Sequence, residues 1–273
     1  MTGSLVCVGT GMTLGSHISP LSRSYIENAE VVFSMVSSGV TEQWITSMNT
    51  DVRDLQPLYG EGKSRHQTYR EMIELILTEV RQGKKVVGAF YGHPGVFAKV
   101  PHQAILKARH EGFQAHMEPG ISAEDCLFAD LGIDPGEFGC QHYETSQFMF
   151  YKRVIDPSAY LILWQIGMAG DKSHAKYVTD SRYRSLLVDL LQEYYPNNHQ
   201  VILYKAKVLP IDKIRNEKLS LVELPFAEVS QHTTLIIPPC NKMIKNKQVL
   251  DKLKLLDKVP LTKTNEPFIK LVK

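Results

Sequence analysis

Arg65 and Tyr69 stand four residues apart in Ser64-Arg65-His66-Gln67-Thr68-Tyr69, a spacing that puts both side chains on one face of a helix. Ser64 and Gln67 read as a capping box, each able to satisfy a first-turn backbone N–H. The helix start is then pinned, with Arg65 in its first turn and Tyr59 approaching from the preceding loop. A free tyrosine titrates near ~10. A guanidinium about 4 Å away, at an effective dielectric of about 20, favours the phenolate by up to ~4 kcal/mol, or ~3 pK units. Such a phenol can take a proton near neutral pH. Spacing alone fits as well with the plainer reading, a tyrosine packed on a guanidinium.

A second group lies at Tyr91-Gly92-His93-Pro94-Gly95-Val96-Phe97, directly after the apolar run 86–90, and a third at Glu118-Pro119-Gly120-Ile121-Ser122-Ala123-Glu124-Asp125. Each is a strand that ends in a small-residue turn opening a helix, the place where open parallel sheets bind ligands. Gly92 and Gly95 allow close backbone approach, Pro94 stiffens the loop, and Tyr91 and Phe97 offer flat faces. Those faces suit a cationic sulfonium beside an adenosine better than an anion. Read alone, the segment is also consistent with a helix-entry loop with buried aromatics. Gly9-Thr10-Gly11-Met12-Thr13-Leu14-Gly15 fails as a dinucleotide fingerprint. Its third glycine comes one residue late, and the second strand runs into Ser34 instead of an acid. It reads as a tight turn or as a wall of a cleft. The ten histidines show no HxxxH or HExxH spacing, so His93 reads as a polar contact and not a metal ligand.

The elements that must position these residues alternate along the chain. Residues 5–8 form a strand, 19–29 a helix with Pro20 in its first turn, 31–33 a strand and 41–48 a short helix. A longer helix spans 64–81, followed by strand 86–90, helix 101–110, strand 114–117 and helix 122–131. The second half repeats the pattern less tidily, with strands at 160–164, 201–204 and 234–237 and a helix at 183–195. Alternation of this kind predicts an α/β fold of mostly parallel sheets with right-handed crossovers. Two lobes, 1–120 and 121–240, are expected to hold a ligand in the cleft between them.

Composition sets the class. The chain has 273 residues, 43% hydrophobic and 22% charged, enough for two cores. No apolar run reaches the ~18 residues of a membrane helix. Met1-Thr2-Gly3-Ser4 enters a strand without a basic or cleavable segment, and the four cysteines form no CxxC pair. A cytoplasmic, reduced protein is expected. Residues 241–273 hold nine lysines against Asp251, Asp257 and Glu266, about +6, which leaves about −4 for the rest of a +2 chain. Val249, Leu250, Leu253 and Leu256 recur there at helical spacing, predicting an amphipathic helix ended by Pro260. Packing of that basic helix on the body is expected, with docking of an acidic partner or nucleic acid as the other reading.

Val8-Gly9-Thr10-Gly11, Gly92-His93-Pro94-Gly95-Val96-Phe97 and Pro119-Gly120-Ile121-Ser122-Ala123 resemble the S-adenosylmethionine-dependent tetrapyrrole methylase superfamily. Tyr59-Gly60-Glu61-Gly62-Lys63-Ser64-Arg65, Thr68-Tyr69, Tyr91–Phe97, residues 122–131 and Ile133-Asp134-Pro135 together resemble one branch of it, the borosin peptide-backbone α-N-methyltransferases. The likeness covers roughly residues 1–240 and is densest over 59–135. It implies S-adenosylmethionine (SAM), released as S-adenosylhomocysteine (SAH), held by Tyr91, His93, Val96, Ser122, Ala123, Gln165, Ala206, Thr233 and Thr234. With it, Arg65, Tyr69, Tyr91 and Tyr59 are expected to carry the chemistry: Arg65 polarises Tyr69 as the first candidate base, Tyr91 positions the acceptor or donates to a developing oxyanion, and which tyrosine takes the proton stays open.

Some borosin enzymes carry their own apolar core peptide. The end of this sequence, Glu266–Lys273, is charged and short, so a separate precursor peptide is expected. The resemblance further implies a homodimer, hence a heterotetramer with two precursors. Three alternatives stand beside it: a precorrin-type tetrapyrrole C-methyltransferase, a non-catalytic cofactor- or peptide-binding scaffold, and an RNA ribose methyltransferase. The last ranks lowest, because the basic residues do not interleave with stacking aromatics.

Overall fold

The computed structural model describes residues 3–36, 38–60 and 62–257. Its first half is a five-stranded sheet in the order β3-β2-β4-β1-β5. The strands are β1 (Ser4–Gly9), β2 (Val31–Met35), β3 (Val52–Asp54), β4 (Lys85–Phe90) and β5 (Gln114–Met117), and every pairing is parallel. A parallel sheet is covered on both faces, so its inner strands read as unbroken apolar runs. Alternate residues then serve two cores. Leu5, Cys7, Val31 and Phe33 face α3 (Arg65–Arg81) and α4 (Lys99–His110), meeting Met72, Ile76, Val80 and Ala104. Val6, Val8, Val32 and Val87 face Ile26 of α1 (Pro20–Glu27) and Ile45 of α2 (Gly39–Thr46).

The second sheet has the order β6-β7-β10-β8-β9. Its strands are β6 (Cys140–Glu144), β7 (Tyr160–Trp164), β8 (Gln200–Lys205), β9 (Arg215–Ser220) and β10 (Thr234–Ile237). Only β6 and β7 run parallel; β7–β10, β10–β8 and β8–β9 are antiparallel. The expected parallel alternation therefore fails in this half. A parallel pair needs a crossover of a dozen or more residues, usually helical, but residues 206–214 join β8 to β9 without one. One face packs on α8 (Ser181–Leu191) through Leu187, Val188 and Leu191. The other packs Ile162, Trp164, Tyr204 and Ile236 against Leu127 of α5 (Ala123–Leu131). Two short helices, α6 (Pro135–Phe138) and α7 (Thr145–Phe150), flank β6.

Helix starts follow their caps more closely than the apolar pattern did. The Ser38 hydroxyl accepts from Thr41 N, so α2 begins at Gly39 and ends at Thr46. The Asp180 carboxylate accepts from Arg182 N and starts α8 at Ser181. The basic tail does form a helix, α9 (Lys247–Leu256). Its Val249, Leu250, Leu253 and Leu256 are exposed, so the expected packing on the body is not made. Pro260 lies outside the described residues. No helix among the described residues is long and apolar enough to cross a membrane.

Candidate active site

Three glycine turns meet at the carboxyl ends of β1, β4 and β5. Gly92 N donates to Gly11 O at 2.9 Å and Gly11 N to Gly92 O at 3.2 Å. A Cβ on Gly120 would stand 2.5 Å from Gly92 O and 2.8 Å from Gly9 Cα. Backbone-to-backbone approach this close admits no side chain. Gly9-Thr10-Gly11 is thus a tight turn that carries Met12 into the wall of a cavity. Within the next loop Gly95 N donates to His93 Nδ1 at 2.9 Å.

The cavity has a volume of about 450 Å³, within the range of small-molecule sites. It lies between the two sheets, with walls from both. Tyr59, Arg65, Tyr69 and Tyr91 all line it. So do His93 and Val96 from the loop after β4, and Ser122 and Ala123 at the start of α5. The second sheet contributes Gln165, Ala206 and Thr234. Thr233 is the exception: it is fully buried behind the wall, where its Oγ1 accepts from Ser230 N at 2.9 Å. Thr233 precedes β10 and turns its side chain back to Ser230, while Thr234, the first residue of β10, lines the cavity.

Ser122 is held by a complete capping box. Its N and Oγ both donate to Asp125 Oδ2 at 2.7 Å, while its Oγ accepts from Asp125 N. The box expected at Ser64 is only half made. Ser64 Oγ accepts from His66 N at 3.3 Å, but Gln67 Nε2 turns outward to Glu71 Oε1 at 3.0 Å.

Arg65 is anchored by residues of the second half of the chain. Its Nη2 donates to Met168 Sδ at 2.8 Å and to the Lys176 carbonyl at 2.7 Å. Arg65 and Tyr69 both line the cavity, and among the described residues no hydrogen bond joins the guanidinium to the Tyr69 phenol. The cause is a loop of the second half that offers Arg65 two fixed acceptors. Tyr59 and Tyr69 meet edge to face with ring centroids 6.4 Å apart, and Tyr59 OH points to Met35 Sδ at 3.7 Å. Burial pushes the Tyr59 phenol up, the neighbouring Tyr69 and Tyr91 add to the rise, and the Arg65 charge offsets part of it. Burial, with Tyr69 beside it, likewise pushes Tyr91 up. Both phenols are therefore hydrogen-bond donors at neutral pH.

Several wall residues were not read from the sequence. Trp164 and Met168 flank Gln165, and that strand end was the available signal. Gln165 itself is left-handed, φ 60° and ψ 44°, a conformation rare for a non-glycine residue and concentrated at ligand clamps. Tyr177 lies in a polar loop that carries no motif. Among the described residues no group of His, Cys, Asp and Glu is arranged to hold a metal ion.

Two sheets, one wholly parallel, closing on a glycine-floored cavity define a family, and the chain belongs to it: residues 4–219 match Tetrapyrrole (Corrin/Porphyrin) Methylases. Its relatives narrow the likeness. The methyltransferase/ribosomally synthesized cyclic peptide gymnopeptides precursor of Gymnopus fusipes is 42% identical over 266 residues, 94% of this chain and 63% of the relative. The methyltransferase/ribosomally synthesized type I borosin cyclic peptide precursor of Coprinopsis marcescibilis is 40% identical over 265 residues, 93% of this chain and 68% of the relative. This chain thus spans about two thirds of the length of such relatives. The X-ray structure of a cobalt precorrin-4 methyltransferase shares the fold, with a TM-score of 0.63 at 14% identity over 86% of this chain and 94% of that one.

Proposed function

We propose that this chain binds SAM in the cavity and methylates backbone amide nitrogens of a peptide. The observation that carries the reading is the convergence of Tyr59, Tyr69, Tyr91 and Arg65 on one cavity floored by glycine turns. Its relatives, named as methyltransferases joined to cyclic peptide precursors, support a peptide acceptor. The residues fit the cofactor. Gly92 brings bare backbone to the wall while Gly9 and Gly120 pack backbone to backbone behind it, and the Phe97 and Trp164 rings, 5.6 Å apart, give the aromatic wall a cation favours. Ser122, Ala123, His93, Val96, Gln165, Ala206 and Thr234 would complete the pocket, with Thr233 supporting from behind.

An amide nitrogen is a poor nucleophile because its lone pair is delocalised into the carbonyl. When bound, SAM supplies an electrophilic sulfonium methyl. The protein must then take the N–H proton and stabilise charge gathering on the carbonyl oxygen. Tyr59 and Tyr91, kept neutral by burial, are suited to donate to that oxygen, each such donor being worth roughly 10²–10³ in rate. Tyr69 is the third phenol of the cluster; its deprotonated oxygen would take the N–H proton as the N–C bond forms, with the donor's S–C bond broken and SAH as the other product. Arg65, fixed by Met168 and Lys176, supplies positive charge without being consumed. Holding the acceptor amide in one orientation beside the bound methyl donor would supply much of the remaining acceleration.

The proposal includes a peptide supplied as a separate molecule, and a homodimer carrying two such peptides. The homodimer rests on the resemblance; the separate peptide departs from relatives named as methyltransferase and precursor together. The test is incubation with methyl-labelled SAM, a synthetic apolar peptide and, in parallel, a precorrin-type tetrapyrrole. Label in the peptide alone is expected. Label in the tetrapyrrole, or in neither, contradicts the reading; label in this chain itself contradicts the separate-peptide part.

A further inference from the structure

Asp171 is a buried carboxylate, 5% exposed, in the loop between the turn Ile166–Met168 and α8. It does not itself line the cavity, though its N donates to the carbonyl of the wall residue Met168 at 3.1 Å, and all its carboxylate's acceptor capacity is used. Oδ1 accepts from Ser173 N at 2.9 Å and Ser173 Oγ at 2.6 Å. Oδ2 accepts from Ala175 N and Lys176 N, both at 3.0 Å. Burial pushes its carboxyl up, but the hydrogen bonds from Ser173, Lys176 and Ala175 outweigh this and hold it below the ordinary carboxylate range. It is ionised at neutral pH. The loop is also tied at its far end, where Thr179 N donates to Gly167 O at 2.7 Å and Thr179 Oγ1 to Ala169 O at 3.0 Å.

A loop wrapped around one carboxylate turns its own N–H groups inward and presents carbonyls outward. Two of these, at His174 and Lys176, are taken by the same residue. Arg65 N donates to His174 O at 3.0 Å, and Arg65 Nη2 to Lys176 O at 2.7 Å. His174 reaches this position in a left-handed conformation, φ 53°, and its ring meets that of His66 at 4.7 Å. The first turn of α3 belongs to the first sheet's half and the loop to the second. Asp171 therefore governs both the backbone and the guanidinium of the cavity's arginine across that junction.

We infer that Asp171 is a positioning residue, acting through the carbonyls of His174 and Lys176 to fix Arg65 beside the three phenols; the inference rests on the peptide-methylating reading of the same cavity. Asp171→Asn keeps the size but sets an amide N–H₂ against donors, so one pair of loop hydrogen bonds is lost. A guanidinium displaced by about 1 Å costs on the order of 10²-fold in turnover.

The test compares the unaltered chain with Asp171→Asn, Asp171→Glu, Arg65→Lys and the double variant Asp171→Asn/Arg65→Lys. Four readouts are taken: peptide kcat and KM, SAH affinity by calorimetry, and amide hydrogen exchange over residues 64–69 and 173–177. Asp171→Asn is expected to lower kcat by one to two orders of magnitude with SAH affinity unchanged, and to speed exchange in both segments. The double variant is expected to be no slower than Arg65→Lys alone, because effects passing through one residue do not add. Additive losses, or unchanged exchange over 64–69, overturn the inference. If the unaltered chain methylates no peptide, the function proposed above fails, and the exchange arm still decides whether Asp171 holds Arg65.

Discussion

Tyr59 and Tyr69 stand edge to face with ring centroids 6.4 Å apart, one from the loop before α3 and the other from its second turn. That contact puts two phenols of unequal environment at one cavity. Removing the Tyr69 hydroxyl is expected to abolish methyl transfer while leaving SAH affinity within a few-fold. Removing that of Tyr91 is expected to lower kcat by roughly 10²–10³, the worth of one oxyanion donor. Steady-state kinetics beside calorimetry separate the two effects. Normal turnover in Tyr69→Phe refutes its role.

The raised phenols predict an alkaline signature. Where folding lifts a pKa above its unfolded value of ~10, the fold favours the protonated form. That stability is fully present below ~10 and is lost as pH rises towards the folded value. Tyr59 and Tyr91 are lifted chiefly by burial, as are Tyr195 and Tyr204. Thermal midpoints measured from pH 8 to about 11 should fall more steeply in the unaltered protein than in Tyr59→Phe/Tyr91→Phe. Parallel curves would show that these two phenols ionise freely.

Gly120→Ala places a methyl 2.5 Å from Gly92 O, with backbone rather than a movable side chain in the way. The expected cost is about 1–3 kcal/mol of stability, seen as a lower denaturant midpoint. SAH affinity should fall as well, because the floor of the cavity is forced apart. Unchanged affinity with unchanged stability would remove the floor from the account.

Gln165 holds φ 60° at the end of β7, where it lines the cavity. Gln165→Gly relieves about 1 kcal/mol of backbone strain, against a similar loss from a freer unfolded chain. Stability should therefore change little while cofactor affinity drops. A large loss of stability without a change in affinity would make this residue structural only.

The inner strands were readable in the sequence, and of the four edge strands only β5 (Gln114–Met117) was. Strands β1, β2, β4, β7, β8 and β10 are apolar and were legible. The unread ones, β3, β6 and β9, all lie at sheet edges. There, sequences such as Arg215-Asn216-Glu217-Lys218 meet solvent and charge is favoured over an apolar run. Because β9 was unseen, the antiparallel return of the second sheet was unseen with it. In the site, glycine turns and the Arg65–Tyr69 spacing were readable because local geometry demands them. The partner of Arg65 was not: Met168 and Lys176 lie more than a hundred residues away, and a loop carbonyl leaves no mark on side-chain type.

The central claim is that the cavity methylates main-chain nitrogen. Tandem mass spectrometry of a peptide incubated with the protein and SAM tests it most directly. Fragment ions that carry the added methyl on backbone amides, lost in Tyr69→Phe, are the predicted result. A methyl on a side chain or terminus, or the same product from Tyr69→Phe, would contradict it.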